Sequence, residues 1–146
     1  MTTTTIDQAV ETRLRSRRVR YTTARRTVVG VLHRAPGPMS AGEIHQAVEG
    51  RVPLSSIYRT LNVLEEAGVV VPHFGVKGLT RYEPAEWIAG HHHHLVCREC
   101  GAVQDIDVPS AMEQRFEAMV ADLAALMSFE AADHVLEIEG RCAACR

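Results

Sequence analysis

The chain has 146 residues, 46% of them hydrophobic, and a formal net charge of −2. That size suits one or two small domains with modest cores. No apolar run approaches the ~20 residues of a bilayer-spanning helix, and the opening Met1-Thr2-Thr3-Thr4-Thr5 lacks the plan of a secretory leader. A cytoplasmic location with no membrane partner is therefore expected, and in a reducing compartment Cys-x-x-Cys pairs read as metal ligands before disulfides.

The small net charge hides an asymmetry. Residues 1–84 carry 12 Lys/Arg against 7 Asp/Glu, while residues 85–146 carry 4 against 11. Seven arginines fall between Arg13 and Arg26. A basic front joined to an acidic back points to a nucleic-acid face attached to something else. The plainer alternative is a solvated helix surface.

In chain order, residues 1–8 read as disordered. Val10, Leu14 and Val19 among arginines predict a basic amphipathic helix over 9–19. Thr22 or Thr23 caps the next helix, with Val28, Val29, Val31 and Leu32 on its apolar face and Pro36-Gly37-Pro38 at its end. Ser40-Ala41-Gly42-Glu43 matches a capping box opening a short helix with Ile44 and Val48 inward. After Pro53, Ser55 or Ser56 is the candidate cap of a helix whose core positions are Ile57, Leu61 and Leu64. Tyr58, Arg59 and Asn62 point elsewhere and are left for a partner. Gly68 stops this helix at the position after its cap. Val69–Val71 and Leu79–Tyr82 flank a turn bearing Gly75 and Gly78, which reads as a hairpin, or wing.

Together these make an N-terminal winged helix-turn-helix over 1–84, whose helix after Pro53 would enter the major groove of double-stranded DNA. There Arg59 could fork to a guanine and Asn62 could pair with an adenine edge. Residues 85–90 read as a hinge. Residues 91–146 read as a small α/β domain. Its strands are His91–Val96, Val103–Val108 and His134–Glu139, in an antiparallel sheet, with one helix from Pro109. Ser110 and Glu113 offer a second capping box. Met112, Phe116, Met119, Val120, Leu123 and Leu126 form the helix's apolar stripe, suited to core or subunit contact. The fold class is α+β.

The chemistry concentrates in His91-His92-His93-His94-Leu95-Val96-Cys97-Arg98-Glu99-Cys100-Gly101. Cys97, Cys100, Cys142 and Cys145 supply four thiolates for a closed tetrahedral zinc site; a disulfide or free thiols are the alternative. Strand alternation puts His91 and His93 on one face and His92 and His94 on the other. Candidate further ligands are Glu113 and His134 for the first pair, and Glu83 and His73 for the second. A metal drawing on wing and histidine strand alike would be a switch. His33 and His45 read as surface or packing residues.

From about residue 13 to 146 the chain resembles the ferric uptake regulator (Fur) family of metal-responsive repressors. The resemblance is carried by Arg20 through Arg25, Ser40-Ala41-x-Glu43-Ile44, Ser56-Ile57-Tyr58-Arg59-Thr60-Leu61 with Glu66-Ala67-Gly68, Tyr82-Glu83, the His91–Cys100 block and Cys142-x-x-Cys145. It implies a homodimer with a C-terminal dimerisation domain, binding palindromic operators when metallated and repressing metal-uptake or stress genes. It also implies that Tyr58 enters the major groove and Arg20 the minor groove; Arg25, Ser55, Ser56, Arg59 and Asn62 are the further candidate DNA-binding residues. The four cysteines match the family's structural zinc site. Glu83, His92 and His94 match its regulatory site, and His91, His93, Glu113 and His134 a second metal site, with Glu113 chosen over Glu117.

Two departures bear on the metal. Pro38 and Met39 stand where many iron-type members have a histidine, and the hinge lacks the cysteine of many zinc-type members. That leaves the fourth regulatory ligand open, with His73 as the candidate. A thiolate-free site suits Zn²⁺ or Fe²⁺, with Mn²⁺ or Ni²⁺ as further options, and the unbroken histidine run leans toward the zinc-responsive, Zur-like branch. The leading expectation is a metal-sensing repressor that is not an enzyme. One rival is an iron-loaded peroxide sensor. Another is a small zinc hydrolase using Glu113 or Glu83 as base, for which the sequence offers no His-Glu-x-x-His pattern.

Overall fold

The computed structural model describes residues 3–146, which resolve into two compact units, one ending at His91 and the other running from His92 to Arg146. Met1 and Thr2, part of the segment expected to be disordered, lie outside the described residues. The mixed helix-and-sheet architecture is the expected α+β class.

The first unit opens with α1 (Thr3–Ser16). It starts earlier than expected and stops before Val19, because Ile6 joins Val10 and Leu14 on one buried stripe. α2 (Thr23–Arg34) is capped by the Thr22 side chain, which accepts from the Arg25 amide. β1 (Met39–Ser40) leads directly into α3 (Ala41–Ala47), where Ser40 and Glu43 form the reciprocal capping box. α4 (Leu54–Glu66) begins differently from expectation. Pro53 takes the cap position and its carbonyl accepts from the Ser56 and Ile57 amides at 2.9 and 3.0 Å, so Ser55 and Ser56 lie inside the first turn.

The wing is β2 (Val70–Phe74) and β3 (Thr80–Pro84), antiparallel and joined through a 3₁₀ turn at Val76–Gly78. β1 adds a third strand against β3, which the short Met39-Ser40 segment did not announce. One core unites the helices and wing: Val10, Leu14, Val28, Ile44, Ile57, Leu61, Leu64 and Val69 are fully buried. Within the segment expected to be a hinge, Glu86–Ala89 forms a helical turn, α5, and Ile88 reaches that core.

Much of the arginine run is used internally. Arg26 pairs with Glu11 at 3.0 Å and lies over the Tyr21 ring, while Arg13 and Arg17 donate to backbone carbonyls at the end of α4. Burial, then the hydrogen bond to Asp7, pushes the Tyr21 hydroxyl above its ordinary range.

The second unit holds β4 (His93–Cys97), β5 (Val103–Ile106), α6 (Ser110–Leu126) and β6 (Glu137–Gly140). The sheet order is β5-β4-β6. β4 and β5 are antiparallel, as a short turn requires, but β6 runs parallel to β4 and starts at Glu137, leaving His134 outside it. The expectation of an all-antiparallel sheet is corrected: α6 and the stretch after it supply the long crossover that parallel neighbours need. Ser110 does not cap α6. Pro109 holds that position, its carbonyl accepting from the Met112 and Glu113 amides, and the Glu113 carboxylate turns to histidines instead.

Candidate metal centres

Cys97 ends β4, and the parallel register pairs it with Gly140 at the end of β6. Parallel strands finish at the same edge, so Cys142 and Cys145 arrive beside Cys97 and Cys100. All four sulfurs lie within 4.8 Å of one another. The Cys100 and Cys142 sulfurs are 3.8 Å apart. A tetrahedron with ~2.3 Å metal–sulfur bonds has edges of about 3.8 Å, so the donor set fits zinc in type and spacing. The Cys100 amide, then that of Cys142, lowers the Cys97 thiol to about 6. Hydrogen bonding to Cys142, Cys100 and Cys97 raises Cys145 to about 12. Four thiolates gathered this closely repel one another, and a bound dication would neutralise them.

His93 is 1% exposed. Its Nε2 is 2.9 Å from Glu113 Oε2, while His134 Nε2 is 3.0 Å from Glu113 Oε1, so one carboxylate spans both rings. The three residues offer ligand atoms within 4.8 Å. Phe116, the next turn of α6, meets the His93 ring edge-on. His91 closes the first unit, with Nδ1 2.7 Å from Glu86 Oε1.

His92 and His94 meet edge to face with ring centroids 4.9 Å apart. Asp105 joins them: its Oδ1 is 3.5 Å from His94 Nε2 and 3.9 Å from His92 Nε2. Nitrogen and oxygen ligands at ~2.1 Å from a metal sit about 3.4 Å apart in a tetrahedral site, so these donors suit a divalent ion. Sequence reading missed Asp105. The hairpin register pairs it directly with His94, and counting back from the Cys-x-x-Cys turn would have found it.

On the wing, buried Glu83 accepts from His73 Nε2 at 2.6 Å. Two residues along β3, buried Arg81 reaches back to the Glu43 carboxylate. Burial acts to raise Glu43, but the Ser40 amide and the Arg81 guanidinium outweigh it, and the net shift is downward.

The expected DNA-reading residues are spread over α4, the turn before α2 and the first turn of α2. Tyr58 is 52% exposed, and Ser55, Arg59 and Asn62 are exposed on the same helix. Ser56 is half-buried and accepts from the Arg59 guanidinium. Arg20 is exposed between α1 and α2, and Arg25 donates to its carbonyl. Arg17 and Arg18 join these two around one basic depression. His45 Nδ1 lies 3.0 Å from the Val52 carbonyl oxygen, a packing contact.

A winged helix followed by a small unit lined with thiols and imidazoles defines a metal-dependent, DNA-binding transcriptional regulator. Residues 16–139 match the model of the Ferric uptake regulator family. The chain belongs to that family. It is 36% identical over 124 residues to the ferric uptake regulation protein of Bacillus subtilis (strain 168), covering 82% of this chain and 79% of that one. It is 29% identical over 144 residues to the peroxide operon regulator of the same organism, covering 96% and 92%. Its structure resembles that of the Helicobacter pylori ferric uptake regulator Fur, with a TM-score of 0.77, 25% identity, and coverage of 99% and 94%. That structure is described as revealing three functional metal binding sites.

Proposed function

We propose that this regulator acts in the cytoplasm as a homodimeric repressor of metal-uptake and homeostasis genes, binding palindromic operators when a regulatory metal is bound. One observation carries the reading. The buried side chains of the second unit are His93, His94, Val96 and Cys97, so what it encloses is mainly ligand donors. Such a unit depends on metal for its fold, and its occupancy can be sensed.

The proposed division of labour has three parts. Cys97, Cys100, Cys142 and Cys145 hold structural zinc. His92 and His94, now with Asp105, take the regulatory ion, with Glu83 and His73 as the ligands proposed from the wing. His93, Glu113 and His134, with His91, form the second site. Nitrogen and carboxylate donors suit Zn²⁺ or Fe²⁺, and the added oxygen of Asp105 shifts the balance toward Fe²⁺ relative to a thiolate site. We assign these clusters to sensing, with no catalytic step.

On DNA, Tyr58, Arg59 and Asn62, with Ser55 and Ser56, read the major groove, and Arg20 and Arg25 serve the flank. Gel shifts with metallated protein on fragmented genomic DNA test the reading, and no retained DNA would overturn it. The sharper experiment replaces His92 and His94 together by Ala. Metal-dependent DNA binding is expected to vanish while a folded, zinc-containing dimer remains; an unfolded product would sink the division of labour.

A second reading, an iron-loaded peroxide sensor, is favoured by the match to the peroxide operon regulator along 96% of the chain. It predicts a one-oxygen mass gain on His92 or His94 after peroxide treatment of the Fe²⁺ form.

A further inference from the structure

The C-terminal end of α4 is closed by a Schellman turn. The Val69 amide donates to the Leu64 carbonyl and the Gly68 amide to that of Glu65, both at 2.8 Å, with Gly68 at φ +67°. This leaves the carbonyls of Glu66, Ala67 and Gly68 without helical donors, and backbone acceptors there need partners from elsewhere.

Each has one. Arg17 Nη1 donates to Glu66 and Arg13 Nε to Ala67, both at 3.0 Å. Trp87 Nε1 donates to Gly68 at 2.7 Å. The Arg13 guanidinium also lies over the Trp87 ring, 5.7 Å from its centroid. Its Nη2 is 3.0 Å from where a Cβ on Gly68 would sit, so the glycine admits the arginine as well as the turn. N–H donors and cations gather where the helix dipole is negative.

One of these donors, Arg13, comes from α1, and another, Arg17, from the turn that follows it. The third comes from α5, the turn through which the chain leaves the winged-helix unit. α5 is seated at both ends, by the Ala85 amide donating to the Val69 carbonyl at 2.9 Å and by buried Ile88. Just beyond it, Gly90 adopts φ 82° and ψ 170°, a region essentially restricted to glycine.

We propose that Trp87 is a positioning residue for metal-dependent DNA binding, clasping the linker turn to the C-terminal end of the recognition helix. A displacement carried along the linker then reaches α4 instead of being absorbed in a loose segment. This rests on the reading that metal occupancy sets DNA affinity. Trp87 touches neither metal nor DNA in this scheme; it acts through the Gly68 carbonyl and the Arg13 guanidinium.

The test uses the full chain as dimer, with structural zinc retained and the regulatory site either empty or loaded with Zn²⁺ or Mn²⁺. The probe is the tightest duplex selected from a random library by the zinc-loaded wild-type protein. The quantity read is the ratio of Kd without regulatory metal to Kd with it. Coupling factors of this kind run from about 5 to 150-fold. Trp87→Phe, which keeps a ring but loses the N–H, is expected to lose most of the wild-type ratio. Trp87→His, which keeps a ring N–H, should retain more of it.

An unchanged ratio in Trp87→Phe overturns the proposal. So does an equal loss of affinity in both metal states, which a merely structural residue would give. If that variant does not fold, the wild-type protein decides. Trp87 is its one tryptophan, and its fluorescence should stay as shielded from acrylamide with metal and duplex bound as without. Greater quenching in the bound state overturns the clasp. A wild-type ratio near one counts against the metal-sensing reading itself, and shows in the wild-type arm alone.

Discussion

Asp105 shows what one carboxylate can decide. It is one of 11 acidic residues after position 84, and composition gives no reason to single it out. Strand pairing does, because Asp105 faces His94 across the β4–β5 ladder. Asp105→Asn keeps the shape and removes the charge. Regulatory-metal affinity is expected to fall by at least the roughly 10- to 100-fold that loss of an outer-shell partner costs, because Asp105 is itself proposed as a ligand, while the zinc content of the cysteine site stays unchanged. Competition titration against a chromogenic chelator, with metal analysis alongside, reads both. Equal loss at both sites would count against separate centres. The cysteines were legible from spacing alone, since two Cys-x-x-Cys pairs have few other uses in a reducing compartment. His73 was legible as a histidine of the wing, but its contact with Glu83 depends on wing register, which the glycine-bearing turn left open.

Among the elements, β3 does more than form a wing. Its Arg81 ties the strand to the capping box of α3 through Glu43. Glu43→Gln leaves a buried guanidinium without its carboxylate, and about 1–3 kcal/mol of destabilisation is expected, below a fully buried pair because Glu43 is partly exposed. The pH dependence has a definite sign. Glu43 is held below its ordinary value of 4.5 in the fold. Its contribution is therefore complete above that pH and is lost as pH falls through the lowered value. Thermal unfolding from pH 6 to pH 3 should show the gap between wild type and Glu43→Gln narrowing with acid; a constant gap would remove the charge from the account.

At this scale the sequence was readable where local chemistry decides: the Thr22 cap, the Ser40–Glu43 box and the Gly68 stop. It misled where two signals competed. Pro53 and Pro109 took cap positions from the serines that follow them. α1 began before residue 9 because Ile6 extends the buried stripe toward the N-terminus. The direction of β6 depended on the crossover, which strand-forming residues do not encode.

For the molecule as a whole, the two units are stabilised in different ways. The first has a continuous apolar core. The second leaves most of the α6 stripe outside: Met119, Leu123 and Leu126 are 52, 56 and 79% exposed. Exposed apolar surface on this scale marks an interaction face, which supports the proposed dimer with α6 as its contact. Metal removal should therefore act unevenly. Stripping zinc with a strong chelator is expected to collapse amide-exchange protection across β4, β5 and β6 while α2 and α4 keep theirs. Uniform loss of protection would mean that the winged helix also depends on the cysteine site.

The parallel pairing of β4 with β6 has a further consequence, in the order of events during synthesis. Cys142 lies 45 residues downstream of Cys97, and the two meet because both follow strands that end at the same edge. At ~5–20 residues per second, Cys97 and Cys100 leave the ribosome some seconds before their partners. In that interval a zinc ion has only half its ligands, and the β4 edge that β6 will occupy is open. Neither sulfur pair can close the site alone, so zinc capture and the last strand must be completed together. A nascent chain lacking β6 gains no tetrahedral site, which ties metal loading to a finished domain.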